Sequence, residues 1–144
     1  MGRFLAIDYG LKRVGLAISD PSKKIAKAYK TLSNDSVDAL LSHIKNEIKI
    51  NSVEKIILGL PIGMNGKNTS QTKLVLKFND ELKNYFSIPI VLEDERLTSV
   101  HAKKSLVFQG FKSTSNKENI DSTAAALLLQ NYLNRSIFNA SKSK

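Results

Sequence analysis

Phe4-Leu5-Ala6-Ile7-Asp8-Tyr9-Gly10-Leu11-Lys12-Arg13-Val14-Gly15-Leu16-Ala17-Ile18-Ser19 holds two apolar runs separated by a short polar turn. The first, Phe4 to Asp8, closes on a carboxylate. The second, Val14 to Ser19, resumes after Gly10, which permits a tight reversal. Runs so closely spaced predict neighbouring antiparallel strands. A third strand is expected between Ile25 and Leu32, with Ile25, Lys27 and Tyr29 on one face and Ala26, Ala28 and Lys30 on the other. The chain opens as a meander.

Beyond it the apolar period changes. Val37, Leu40, Leu41, Ile44 and Ile48 recur at helical spacing, with Asn34 or Ser33 as the expected cap. Ile56-Ile57-Leu58, closed by Gly59, has the continuous apolar character of a buried central strand. A glycine-bearing loop from Pro61 to Asn68 leads to a second helix marked by Leu74, Phe78, Leu82 and Phe86 or Tyr85, capped by Thr69 or Ser70. Ile88 to Leu92 gives another strand, running into Glu93-Asp94-Glu95-Arg96. Thr98 or Ser99 would cap a third helix ending near Gly110, and 111–119 has no period and is expected as a flexible loop. A last helix is expected from about Ile120 to Tyr132. The order βββαβαβαα predicts an α/β fold, a mixed sheet with helices on both faces. One domain over residues 1–138 is expected, with 139–144 as a flexible C-terminal tail.

Composition narrows the function classes. The 144 residues carry 22 Lys and Arg against 13 Asp and Glu, a net charge of +9 that favours an anionic partner such as nucleic acid. Zero cysteines exclude disulfide frameworks, thiolate zinc sites and cysteine nucleophiles, and two histidines make no metal constellation. The N-terminus lacks the apolar core of a signal peptide, and no stretch reaches the roughly 18 apolar residues of a membrane helix, so a soluble cytoplasmic protein with no membrane partner is expected. Aromatic content of 7% without Trp gives little support to a base-stacking platform; Phe78, Phe86 and Phe108 are assigned to helix core faces, and Tyr9 to packing.

Carboxylates at element ends are the candidate chemistry. Asp8 ends the first strand, Asp94 and Glu95 end a later one, and Asp121 opens the last helix, places where the loops of a sheet gather. Clustered carboxylates repel unless cations lie between them, and oxygen-only ligands select Mg²⁺ or Mn²⁺. Strand alternation puts Val91, Glu93 and Glu95 on one face and Leu92 and Asp94 on the other, which leaves Glu95 and Asp94 both open as the inward ligand. The turn after Asp8 has neither the GK[ST] ending of a Walker loop nor GxGxxG.

Four segments in order, IDYGLKRVGLAISD from Ile7, LGLPIGMNG from Leu58, LEDERLTSV from Leu92 and IDSTAAALLLQNYL from Ile120, resemble the YqgF-type family. Its members are small bacterial relatives of Holliday-junction resolvases with a ribonuclease-H-like fold, described as nucleases for pre-16S rRNA. The resemblance implies that Asp8, Glu95 and Asp121 are catalytic and bind one or two Mg²⁺ or Mn²⁺ ions, and that Arg13, Arg96 and Thr98 contact nucleic acid, with the neighbouring Lys12 expected to help position the backbone. It implies a metal-dependent phosphodiester hydrolase leaving 5′-phosphate and 3′-hydroxyl ends, with precursor rRNA favoured over branched DNA as substrate. Symmetric cutting of a four-way junction needs two sites and hence a homodimer, whereas single-site trimming of RNA suits a monomer. The compact run Ala124-Ala125-Ala126 would let the last helix lie close to the sheet. Two other classes remain: a phosphotransferase, because Asp-x-Gly also resembles the phosphate loop of sugar kinases, and a non-catalytic RNA-binding assembly factor.

Overall fold

The computed structural model describes residues 2–97 and 117–142, with side chains for all of these except 97, 117–121 and 138–142. Strands β1 (Arg3–Tyr9), β2 (Arg13–Ser19) and β3 (Ala26–Ser33) form the expected antiparallel meander. Helix α1 (Val37–Asn51), strand β4 (Val53–Leu60), helix α2 (Ser70–Tyr85) and strand β5 (Ile90–Asp94) follow, then a 3₁₀ turn (Glu95–Leu97) and helix α3 (Lys117–Lys142). The sheet order is β3-β2-β1-β4-β5, with β1, β4 and β5 mutually parallel. Both crossover helices, α1 and α2, lie on one face of the sheet and α3 covers the other, so the central strands are covered on both sides.

Side-chain alternation builds one core on each face. Leu5 and Ile7 of β1, Val14 and Leu16 of β2 and Ile56 and Leu58 of β4 meet Leu40, Ile44, Phe78 and Leu82 from α1 and α2. Phe4, Ala6, Ala17 and Ile57 point the other way, against Ala125, Ala126, Leu129 and Leu133 of α3. Of the small-residue run, Ala125 and Ala126 are fully buried and Ala124 is half-buried. Asp8 continues the parity of Phe4 and Ala6 and so belongs to the α3 face. Tyr9 belongs to the opposite face and stacks on Phe78, ring centroids 4.2 Å apart, which is the packing role expected of it.

Four local expectations are corrected. The α1 cap is Ser36, whose hydroxyl accepts from the Ala39 N–H at 3.1 Å. Asn34 instead donates its side-chain N–H to the Gly10 carbonyl at 2.8 Å and braces the β1–β2 turn. On β3 the regular alternation fails, because the register with β2 shifts between Leu16 and Ala17. Ala28 faces the α3 core while Tyr29 and Lys30 turn to the other side, where Lys30 reaches Glu47 of α1 at 2.9 Å; a bulge inserts one residue and inverts the parity beyond it. Finally, α3 both starts earlier and ends later than the expected Ile120 to Tyr132, running from Lys117 to Lys142, so 117–119 are helical and not loop. Neither Gly nor Pro interrupts this stretch, and Lys117 and Glu118 are good helix formers. The helix expected from Thr98 or Ser99 to Gly110 lies outside the described residues, as do Phe108, His101 and residues 111–116.

Candidate active site

The C-terminal ends of β1, β4 and β5 point the same way because the three strands are parallel. Crossovers leave from this edge, so the turn after β1, the loop after β4 and the 3₁₀ turn after β5 converge there. Asp8 sits one residue before the end of β1, paired across to Gly15 of β2. Glu95 opens the 3₁₀ turn immediately after β5. Their carboxyl groups hydrogen-bond to one another and, with Ala124, Leu127 and Leu128 of α3, line a cavity of about 240 Å³.

Gly59, the last α3-facing position of β4, makes this meeting sterically possible. A Cβ there would lie 2.8 Å from Glu95 Oε1 and 3.0 Å from Leu128 Cδ2. Gly10 has a comparable necessity, since a Cβ would come within 2.5 Å of the Arg13 carbonyl oxygen and open the turn that follows Asp8.

Electrostatics separates the two candidate carboxylates of the β5 end. Burial, then the hydrogen bond and charge of Asp8 and the charge of Asp94, push the Glu95 carboxyl up to about 8. At neutral pH Glu95 holds a proton and donates it to Asp8, because two adjacent carboxylates cannot both ionise without a counterion. Asp94 is satisfied differently. Hydrogen bonds from Arg96 hold its carboxyl below the usual range, with the guanidinium contacting both oxygens at 2.8–3.2 Å and the Arg96 N–H capping Asp94 Oδ1 at 2.9 Å. Glu95, not Asp94, is therefore the acidic partner of Asp8.

The remaining expected residues are placed as follows. Lys12 is exposed in the β1–β2 turn and Arg13 begins β2, both at the Asp8 end of the sheet. Arg96 is exposed in the 3₁₀ turn, and its Nη1 lies 3.5 Å from the Gly63 carbonyl in the loop after β4. That loop is fixed at its other end by α2. There Thr69 and Thr72 form a reciprocal capping box, and the Thr72 hydroxyl donates to the Pro61 carbonyl. Asp121 falls within α3, but its side chain lies outside the described residues, as does Thr98 altogether. Among the described residues, accordingly, two of the three expected ligands come together, and no group of three potential metal ligands forms. Sequence reasoning missed Leu127 and Leu128 as cavity walls and the steric role of Gly59; the glycine closing an apolar strand was the available signal.

The donor set suits a hard divalent cation. Both oxygens-bearing groups are carboxylates, and the proton that Glu95 retains marks a charge deficit that a cation between the two would fill.

Three antiparallel strands followed by two parallel ones, with helices on both faces, define the ribonuclease-H-like class of fold. Solved structures share it. Over 95% of this chain and 96% of theirs, the coordinates of "T. thermophilus RuvC in complex with Holliday junction substrate" superpose with a TM-score of 0.63 at 9% identity. The yeast mitochondrial Holliday junction resolvase Ydc2 gives 0.54 at 13% identity, over 92% of this chain and 78% of that one. Residues 2–135 match the family described as "RuvX: Holliday junction resolvase", and the chain belongs to that family. Proteins named "Putative pre-16S rRNA nuclease" are 39% identical in Maridesulfovibrio salexigens, over 92% of this chain and 98% of the relative, and 43% identical in Thermoanaerobacter pseudethanolicus, over 91% and 95%. The protein is thus a nuclease, a hydrolase of phosphodiester bonds.

Proposed function

We propose that this protein cleaves precursor 16S rRNA in the cytoplasm during ribosome biogenesis, using Mg²⁺ or Mn²⁺ held by Asp8, Glu95 and Asp121. The observation that carries the reading is the Asp8–Glu95 pair, two carboxyl groups hydrogen-bonded to one another in one cavity at the strand-end edge of a +9 chain. Asp121 lies three residues before Ala124 and seven before Leu128, the spacing of one helical stripe on α3. A bound divalent ion would neutralise the carboxylates and act as a Lewis acid toward a phosphate oxygen.

The chain's own groups do the rest. Water adds to phosphorus and the bond to the 3′ oxygen breaks, leaving 5′-phosphate and 3′-hydroxyl ends. Lys12 and Arg13 beside Asp8, and Arg96 beside Glu95, hold backbone phosphates and fix the register of the strand without reading bases. Leu127 and Leu128 wall the cavity with apolar surface, which keeps bulk water from the carboxylates and strengthens their interactions.

A second reading, resolution of branched DNA, is favoured by the family description itself. Cleavage of precursor 16S rRNA and of a four-way DNA junction, each with Mg²⁺ or Mn²⁺, separates the two. RNA is expected to be cut and Asp8→Asn to lower the rate by about 10² or more while binding persists. Cleavage of the junction alone would transfer the assignment to DNA. Full activity of Asp8→Asn would remove the carboxylate pair from the chemistry.

A further inference from the structure

The centre of the face that α3 presents to the sheet is apolar. Ala125, Ala126 and Leu129 are fully buried against Phe4, Ala6, Ala17 and Ile57. Such contacts are non-directional, and by themselves they would let a helix slide or roll at little cost. Polar contacts remove that freedom. At the β3 edge Gln130 accepts from the Ala26 N–H at 2.9 Å and donates to the Lys24 carbonyl at 3.0 Å. At the β5 edge Glu93, only 2% exposed, receives the Arg135 guanidinium on both oxygens at 2.7 and 2.8 Å, and Asn131 on Oε2 at 3.1 Å.

The second contact is aligned with the active site. Glu93 lies two residues before Glu95 and projects from β5 toward α3. Asn131 and Arg135 lie seven residues after Ala124 and Leu128, about 10.5 Å or two turns along the same stripe of the helix. The clamp therefore sits on the strand that leads directly into Glu95, and on the helical stripe that walls the cavity.

We propose that Glu93, Arg135 and Asn131 form a positioning clamp that sets the register of α3 against β5, and through it the placement of the cavity wall against Asp8 and Glu95. The proposal rests on the nuclease reading for its catalytic consequence, not for its structural one. Stability alone is a poor explanation of the clamp, because apolar residues of similar size often do as well at buried positions as an ion pair does. What the bidentate fork adds is orientation, since a guanidinium on both carboxylate oxygens fixes angle as well as distance.

The test uses Glu93→Gln, which keeps shape and the Asn131 contact, with Arg135→Met and Arg135→Lys, in the full chain. Glu47→Gln, in the Glu47–Lys30 pair on the opposite face, is the control for stability loss. Hydrogen exchange at the amides of 124–128 is read together with kcat and KM for metal-dependent cleavage of precursor 16S rRNA. Glu93→Gln and Arg135→Met are expected to speed exchange there and to lower kcat by about 10-fold or more with KM little changed, as loss of outer supports does. Arg135→Lys should recover part of both, and Glu47→Gln should move neither at an equal drop in melting temperature. Wild-type exchange and kcat in the folded clamp variants, or the same losses in the control, would overturn the proposal. Should the wild-type protein cleave nothing, the nuclease reading falls, and the exchange data alone decide whether the clamp sets the helix.

Discussion

Glu95 keeps its proton well above the pH at which an ordinary glutamate loses it, and this has consequences for the isolated protein. Its folded-state value of about 8 stands above the model-peptide value of 4.5. Between these values the folded state binds the extra proton, so stability falls as pH rises through that window and levels off above it. In EDTA the protein is expected to melt at a lower temperature at pH 8 than at pH 5.5, and Mg²⁺ is expected to close the gap by taking the proton's place. Melting curves that rise with pH across this window in EDTA would contradict the assigned pair. Asp8 was legible as a carboxylate ending an apolar run, and Glu93 of β5 and Glu95 of the following 3₁₀ turn both face α3, the shared side that alternation indicated. What alternation could not supply was the partner of each. Asp94 is taken by Arg96 two residues on, and Glu93 by Arg135 forty-two residues away, a pairing that no local pattern announces.

At the scale of elements, β4 is the strand whose composition most directly shapes the site. Gly59→Ala is expected to press a methyl on Glu95 Oε1 and Leu128 Cδ2, at 2.8 and 3.0 Å, and to displace whichever yields. Cleavage is expected to drop by about tenfold or more, while stability falls by about 1–3 kcal/mol, the usual cost of overpacking. Parallel measurements of rate and chemical denaturation check this; an unchanged rate would show that the cavity is looser than its contacts indicate. Period and capping rules identified β1, β2, β4, α1 and α2, because each buries one face on a regular repeat. They failed where geometry was irregular. The β3 bulge inverts side-chain parity without changing composition, and the cap falls on Ser36, immediately before Val37, while Asn34 two residues earlier donates to the Gly10 carbonyl.

For the whole molecule, a net charge of +9 has to be reconciled with a carboxylate site. The reconciliation is spatial, since cations such as Lys12 and Arg13 flank Asp8 along the strand-end edge, while the acidic pair is recessed in a cavity. Binding to nucleic acid should weaken steeply with salt, and Lys12→Ala should reduce the slope of log affinity against log salt by about one. Anisotropy titrations at several salt concentrations measure it; a slope unaltered by Lys12→Ala would take that side chain off the phosphate path. The mixed sheet was readable because a meander followed by βα alternation admits few topologies; the strand order came from the structure. That residues 8 and 95 meet follows from β1 and β5 flanking β4 in parallel register, which no single segment of sequence states. The meeting is tested most directly by a carbon-13 NMR titration of the Asp8 and Glu95 carboxyl groups, without and with saturating Mg²⁺. Without the ion, Glu95 is expected to titrate near pH 8 with a coupled response at Asp8, and with it to ionise below its ordinary value. A Glu95 midpoint near 4.5 in both conditions, with no response at Asp8, would contradict the account.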